Sequence, residues 1–434
     1  MSGTTVSGSI ASGPTVREAA VGERTLSAIE TALLAKIDSG ELVALASDLI
    51  AAGGENPGSA ANSRIEEATV HALAAACKRF GFTVETTEVV PGRQNLVATL
   101  EGGMAPGLMF LGHSDVVPAG DGWRDDPFVP VERDGRLYGR GSTDMKGGLA
   151  AIVLAMAAIR DVVGVPAGPV QLVCTVDEED LGLGIRSYAP TAPRDAFAAC
   201  VVAEPTDLGT VIGCRGDSYL TVRVAGKAAH SGRPDDGRNA IAAAARILEL
   251  VRADHDARRA NPDPLLGSGT WSVGSITGGT GTSVVAAECA MSIDRRLMPG
   301  ENARAVADDL LDQVRAEGID GDGVTVSIDV EMEMPGFRTE PQHPLVLAAV
   351  DAIEDAGGGR LEVGGWSAAC DGGFIAQDAG IPCIVLGPGG LNDQAHQANE
   401  SVGVEELVIA ARAYALLTLR LVGPHATIEQ GAPQ

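Results

Sequence analysis

Aromatic side chains are scarce: Phe, Trp and Tyr make up only 3% of this 434-residue sequence. A core must therefore be assembled from small aliphatics, and hydrophobic residues at 45% supply enough of them to exclude wholesale disorder. Basic residues are also few, 32 Lys and Arg against 58 Asp and Glu, for a formal net charge of −26. That balance argues against nucleic acid as a partner, since phosphate binding needs clustered Lys and Arg. No apolar run approaches the ~20 residues that a bilayer span needs; the longest covers about 148–159, so no membrane partner is expected. The opening MSGTTVSGSIASGPTV has neither the basic nor the apolar segment of a secretory signal, and residues 1–23 read as a disordered polar tail. The seven cysteines (77, 174, 200, 214, 289, 370, 383) form no CxxC pair and mostly lie in apolar runs. They predict reduced core thiols and a cytoplasmic location.

Apolar periodicity is what the sequence has in quantity. Helices are expected over about 24–52 and 63–81, the second with Ser63 as N-cap and Gly81 as stop. Short β-type runs follow in FTVETTEVV, QNLVATL and GLMFLGHSD. KGGLAAIVLAMAAIR then reads as a buried helix, and VQLVCTV and AACVVAE as buried strands. Alternation of this kind predicts an α/β domain with a covered, parallel or mixed sheet. The pattern changes near Gly209: residues 210–332 run strand, helix, two strands, helix, strand, the order of a split βαβ unit. Helix and strand alternation returns with IPCIVLGPG and a final helix over about 404–422. The chain is thus expected to hold one domain over 24–209 and 333–434, interrupted by an α+β insertion over 210–332.

Charged and imidazole groups sit at the ends of the apolar runs. His113 and Asp115 lie two apart after a strand and so share a face. Asp144 precedes a helix, Asp177 to Asp180 follow a strand, Glu204 ends another, and His396 follows a third. Taken singly, each has a plainer reading: a surface histidine, a helix N-cap, a solvated acidic loop. Taken together, strands ending near 112, 176 and 203 would open on one crevice, where open α/β sheets bind ligands. There Asp144, Glu179 and Glu204 alone would carry about −3, and mutual repulsion would push their pKa values up. Two divalent ions would offset that charge, and mixed His and carboxylate ligands suit Zn²⁺ while allowing Co²⁺ or Mn²⁺.

With these pieces assembled, the sequence resembles the dinuclear-zinc amidohydrolases that include acetylornithine deacetylase, succinyl-diaminopimelate desuccinylase, aminoacylase and bacterial glutamate carboxypeptidase. The matching runs are LGHSDVVPAG, GRGSTDMKGG, DEEDLG, AEPTD, AAHSGRP with GRNAI, IDRRLMPGE, and GIPCIVLGPG followed by AHQANE, in family order over about 110–400. The resemblance implies a mixed-sheet zinc-hydrolase α/β domain with an inserted α+β, ferredoxin-like dimerisation domain, in a homodimer. It implies two Zn²⁺, one held by His113, Asp144 and Glu204 and the other by Asp144, Glu179 and His396, with Asp144 bridging and Asp115 orienting His113. Glu178 would be the general base of a metal-bridged hydroxide attacking an amide carbonyl, and His230 of AAHSGRP would stabilise the oxyanion. Arg296 would grip a substrate carboxylate, or else pair with Glu288 or a surface acid. Asn239 would contact substrate or simply cap its helix, and Asp371 beside Cys370 would line the pocket. Ser283 stands where relatives commonly carry Asn, and Gly373 where the desuccinylases tend to carry Arg. The substrate implied is an N-acyl amino acid or similar small amide, with a dipeptidase or carboxypeptidase as the nearest alternative and a catalytically dead binding protein as a remote one. His71, His255, His343 and His425 read as structural, and Asp177 and Asp180 as residues that shape their loop.

Overall fold

A computed structural model describes residues 25–56 and 66–423. The expected disordered tail, Ser63 and His425 lie outside them. The described chain forms two compact units. One comprises Gly213–Arg338 with Gly365–Gly373; the other takes the described residues up to Ile212, Thr339–Gly364, and those from Phe374 onward. Residues 365–373, read from sequence as part of the outer domain, cluster with the inserted unit. No helix among the described residues is long and apolar enough to cross a membrane.

The larger unit is built on a mixed sheet. Its strands lie in the order Thr83–Val90, Arg93–Leu100, Val170–Thr175, Gly107–His113, Phe197–Val202, Cys383–Val385 and Val211–Cys214. Val170–Thr175, Gly107–His113, Phe197–Val202 and Cys383–Val385 are mutually parallel, while the flanking pairs are antiparallel. Gly107–His113 is buried along its whole length, as a strand covered on both faces must be. The helix Gly147–Val162 is buried at every position to Ile159, which is why its sequence is apolar all round rather than on one stripe. It packs against the sheet and against the last helix, Val404–Val422. Gly112 permits this approach, since a Cβ there would lie 2.6 Å from the Met145 methyl.

In the smaller unit the strands lie in the order Thr270–Gly278, Glu288–Arg296, Asp217–Ala225 and Thr325–Met334, all antiparallel. Numbered along the chain this is 2-3-1-4, the ferredoxin-like arrangement. Helices Ala240–Arg259 and Ala303–Ala316 supply Ile247 and Leu310 to a core shared with Val222 and Met291 of the strands.

One local expectation changes, and the plainer reading of Asp144 falls away. The single helix expected over 24–52 is two, Ala28–Lys36 and Ser39–Ala51, because the Asp38 carboxylate accepts the Glu41 N–H at 2.7 Å and begins a new helix. Asp144 is not a helix N-cap: its backbone is non-helical and the regular helix starts at Gly147.

Candidate metal centre

The parallel strands end on one side of the sheet, and the polar residues follow from those ends. His113 closes its strand, the run from Asp177 to Glu179 follows Thr175, Glu204 follows Val202, and the loop after Val385 leads to His396. Asp144 reaches the same place from the turn before the buried helix. That turn sits close because Gly148 has no side chain: a Cβ there would lie 2.4 Å from the Ala203 carbonyl oxygen. His113 Nε2 is 3.2 Å from Asp144 Oδ1 and 3.3 Å from Glu204 Oε1. His396 Nε2 is 3.4 Å from Asp144 Oδ2 and 3.0 Å from Glu179 Oε2. The two oxygens of Asp144 thus face different imidazoles. Ligand atoms of His113, Asp144 and Glu179 lie within 4.8 Å of one another, as do those of His113, Glu178 and Glu204.

A second set of groups holds these in place. The Asp115 backbone oxygen lies 3.0 Å from His113 Nδ1, and its carboxylate 3.6 Å. The same carboxylate accepts the N–H groups of Glu178 and Glu179, at 3.2 and 3.1 Å, and the Asn56 amide at 2.8 Å. One buried residue therefore fixes both the histidine and the acidic loop. Glu400 does the same for Asp144: it accepts the backbone N–H groups of Gly141, Thr143 and Asp144 and pairs with Arg140 at 2.7 Å. Sequence reasoning missed Glu400, Arg140 and Asn56. Glu400 closes the AHQANE run and Arg140 is the second residue of GRGSTD, so two of the three stood inside motifs already singled out.

The electrostatics are those of a cation site. Burial, reinforced by Asp144 and Glu179 and opposed by His113, pushes the Glu204 carboxyl up to about 8. Burial and the Asp144 charge likewise raise Glu179. Asp144 goes the other way: burial raises it, but hydrogen bonds from His113 and His396 outweigh that and hold it well below the usual carboxylate range. Hydrogen bonds to Asp144 and Glu179 lift His396 to about 10. Glu179 Oε1 is buried and accepts no hydrogen bond. A buried carboxylate oxygen in that position is costly unless a cation or a proton meets it. Oxygen and imidazole donors in this mixture fit divalent metal ions of the zinc type.

The residues singled out for oxyanion and substrate contact, His230, Ser283, Arg296, Asn239 and Asp371, belong to the smaller unit. His230 is exposed, bridges to Val284, and its Nδ1 accepts the Gly232 N–H at 3.0 Å. Ser283 accepts the Ser231 N–H through its backbone oxygen. Arg296 is engaged by two acids, neither of them Glu288: Asp294 takes Nε and Nη2 at 3.1 Å each, and Asp217 lies 3.2 Å from Nη1. The Asn239 side chain caps its helix, accepting from Ile241 and Ala242 N–H. Asp371 is buried. Gly373 leaves no room for a side chain, as a Cβ would lie 1.7 Å from the Pro335 carbonyl oxygen. His343 caps the helix Pro344–Ile353 and His255 accepts the Trp271 N–H.

An imidazole and carboxylate cluster at the parallel strand ends, buried except for the exposed His396, in a chain with a ferredoxin-like insertion, defines a metal-binding hydrolase. Residues 109–420 match the model of peptidase family M20/M25/M40, and the chain belongs to that family. It is an enzyme of metal-dependent amide-bond hydrolysis. The chain is 32% identical over 340 residues to an acetylornithine deacetylase of Vibrio campbellii, covering 76% of this chain and 85% of the relative. It is 33% identical over 345 residues to that of Proteus mirabilis, covering 77% and 85%. Among solved structures, the fold matches an aminopeptidase PepT from Bacillus cereus with a TM-score of 0.70 at 22% identity, over 89% of this chain and 99% of the other. It also matches an M20 family metallo-carboxypeptidase from Sulfolobus solfataricus with a TM-score of 0.71 at 19% identity, over 89% and 100%.

Proposed function

We propose that this enzyme removes the acyl group from an N-acyl amino acid or a similar small amide, as an acetylornithine-deacetylase-like hydrolase. The observation that carries the reading is the convergence of His113, Asp144, Glu178, Glu179, Glu204 and His396, together with the identity to acetylornithine deacetylases over most of the chain. His113, Asp144 and Glu204 would hold one ion, and Asp144, Glu179 and His396 the other. We take both as Zn²⁺, with Co²⁺ or Mn²⁺ able to substitute. When bound, two such ions neutralise the carboxylates, lower the pKa of water and polarise a carbonyl.

The chain's own groups do the rest. Glu178, held at its N–H by Asp115, takes a proton from the attacking water and delivers it to the leaving nitrogen. Asp115 keeps His113 Nε2 directed at Asp144 and Glu204. In neutral His230, Nδ1 accepts from Gly232, so the ring proton sits on Nε2 and is available to a developing oxyanion. Seven buried free cysteines support a reducing, cytoplasmic setting. The edge strand Thr270–Gly278, with Ile276 51% exposed, supports pairing with a second copy in a homodimer.

The test is a substrate panel of acetyl, formyl, succinyl and carbamoyl amino acids beside dipeptides. Turnover of N-acyl amino acids, abolished by chelation and restored by Zn²⁺, is expected. Turnover confined to dipeptides would replace this reading with the dipeptidase one, and inertness to the whole panel would overturn it.

A further inference from the structure

The strand Arg93–Leu100 runs antiparallel to Val170–Thr175, with Leu96 opposite Cys174. Its first residues are thereby delivered to the place where the acidic loop begins. Arg93 and Asn95 are two apart, share a face, and are both buried. Asn95 joins the two ends of the loop: its side-chain oxygen accepts the Val176 N–H at 3.1 Å and its amide donates to the Gly184 carbonyl at 2.8 Å. Gly184 is needed for that closure, because a Cβ would lie 2.5 Å from Val176 N and 2.6 Å from Asn95 Oδ1. Arg93 meets the loop through Asp177, Nη1 to Oδ1 at 2.8 Å, and is braced from behind by Glu66, whose two oxygens lie 2.9 Å from Nε. Asp177 in turn accepts the N–H groups of Leu181 and Leu183.

We propose that Arg93 and Asn95 are positioning residues, a clasp that aims Glu178 and Glu179 and so sets the affinity of the metal position that Glu179 serves. The inference rests on the metal-centre reading above. Its physical core is the cost of the arrangement. A buried ion-paired trio gains little over an apolar replacement of the same volume, so stability alone does not explain it. What the trio does supply is direction. Asp115 holds the N–H groups of residues 178 and 179, and Arg93 holds the side chain of Asp177, the residue directly before them. Two adjacent carboxylates then diverge, Glu179 toward His396 at 3.0 Å and Glu178 into reach of His113 and Glu204.

The experiment is a zinc titration of the apo chain by calorimetry, comparing wild type with Arg93→Lys, which keeps the charge and loses the fork. Asn95→Asp, of the same size, carries the test if Arg93→Lys does not fold. Leu100→Ala, at the far end of the same strand, is the control for plain destabilisation. The expected result is that the binding step abolished by His396→Ala is weakened about 10–100-fold in Arg93→Lys or Asn95→Asp, while the other step stays within about twofold. Leu100→Ala should lower thermal stability and leave both steps unchanged. Both steps unchanged in the clasp variants, or both weakened alike, would overturn the clasp while leaving the metal centre intact. A wild-type chain that takes up no divalent ion would overturn the underlying reading, and the clasp with it.

Discussion

Glu178 and Glu179 are chemically identical neighbours whose surroundings give them different work. Replacing Glu178 by Gln keeps the shape and the Asp115 contact but removes the proton carrier. We expect both metals to be retained and kcat to fall about 10²–10⁴-fold, checked by elemental analysis beside steady-state kinetics; near-wild-type turnover would refute the assignment. Away from the centre, Asp217 makes a pH prediction. Burial, reinforced by Asp294 and opposed by Arg296, lifts its carboxyl from 3.8 to about 6. Between those values the folded chain holds a proton that the unfolded chain has lost, so the stability this group contributes falls as pH rises through the window. The change is up to about 3 kcal/mol. Urea unfolding at about pH 4.5 and 6.5 should show that fall in wild type and its loss in Asp217→Asn; parallel behaviour of the two proteins would contradict it. Of the six converging residues, His113, Glu178, Glu179 and Glu204 were legible because they stand at or just after the ends of apolar runs, while Asp144 and His396 stood out in polar runs beside a buried helix and after a buried strand. Asn56 and Glu400 were not legible, since their partners lie 59 and 256 or more residues away and neither follows a strand.

At the level of elements, the site depends on how closely the helix Gly147–Val162 approaches the end of the strand Phe197–Val202. Gly148→Ala puts a methyl against the Ala203 carbonyl oxygen, so the helix start or the strand end must shift and the Asp144 to Glu204 spacing with it. We expect a stability loss of about 1–3 kcal/mol, as for other overpacked cores, and weaker metal binding, measured by thermal unfolding and zinc titration. Unchanged binding would show that the spacing is tolerant. Asn239→Ala should cost about 1 kcal/mol as a lost cap and leave kcat/KM within about twofold if capping is its task; a larger kinetic loss would restore the substrate-contact reading. Periodicity made the buried helix and the parallel strands readable, because burial on all sides and alternation leave different patterns. It could not reveal the break at Asp38, where a single side-chain cap divides a continuous apolar pattern. Nor could it show that Arg296 is already held by Asp217 and Asp294, since the first of these pairs joins separate strands.

For the whole molecule, an acidic chain concentrates buried carboxylates at one point and depends on cations there. Metal that binds only the folded state stabilises it by RT ln(1 + [L]/Kd), about 4 kcal/mol at 1,000 times Kd. Chelation should therefore lower the unfolding temperature, and Zn²⁺ should restore it; a melting curve indifferent to both would count against the centre. The fold class was legible from the order of elements, whereas the assignment of residues 365–373 to the smaller unit was not, because sequence adjacency says nothing of which core a loop joins. The most direct measurement is anomalous diffraction at the zinc edge from crystals of the loaded protein. Two peaks roughly 3.5–4 Å apart are expected, one within bonding distance of His113 and Glu204, the other of Glu179 and His396, with Asp144 between them. A single peak, or peaks remote from Asp144, would contradict that arrangement.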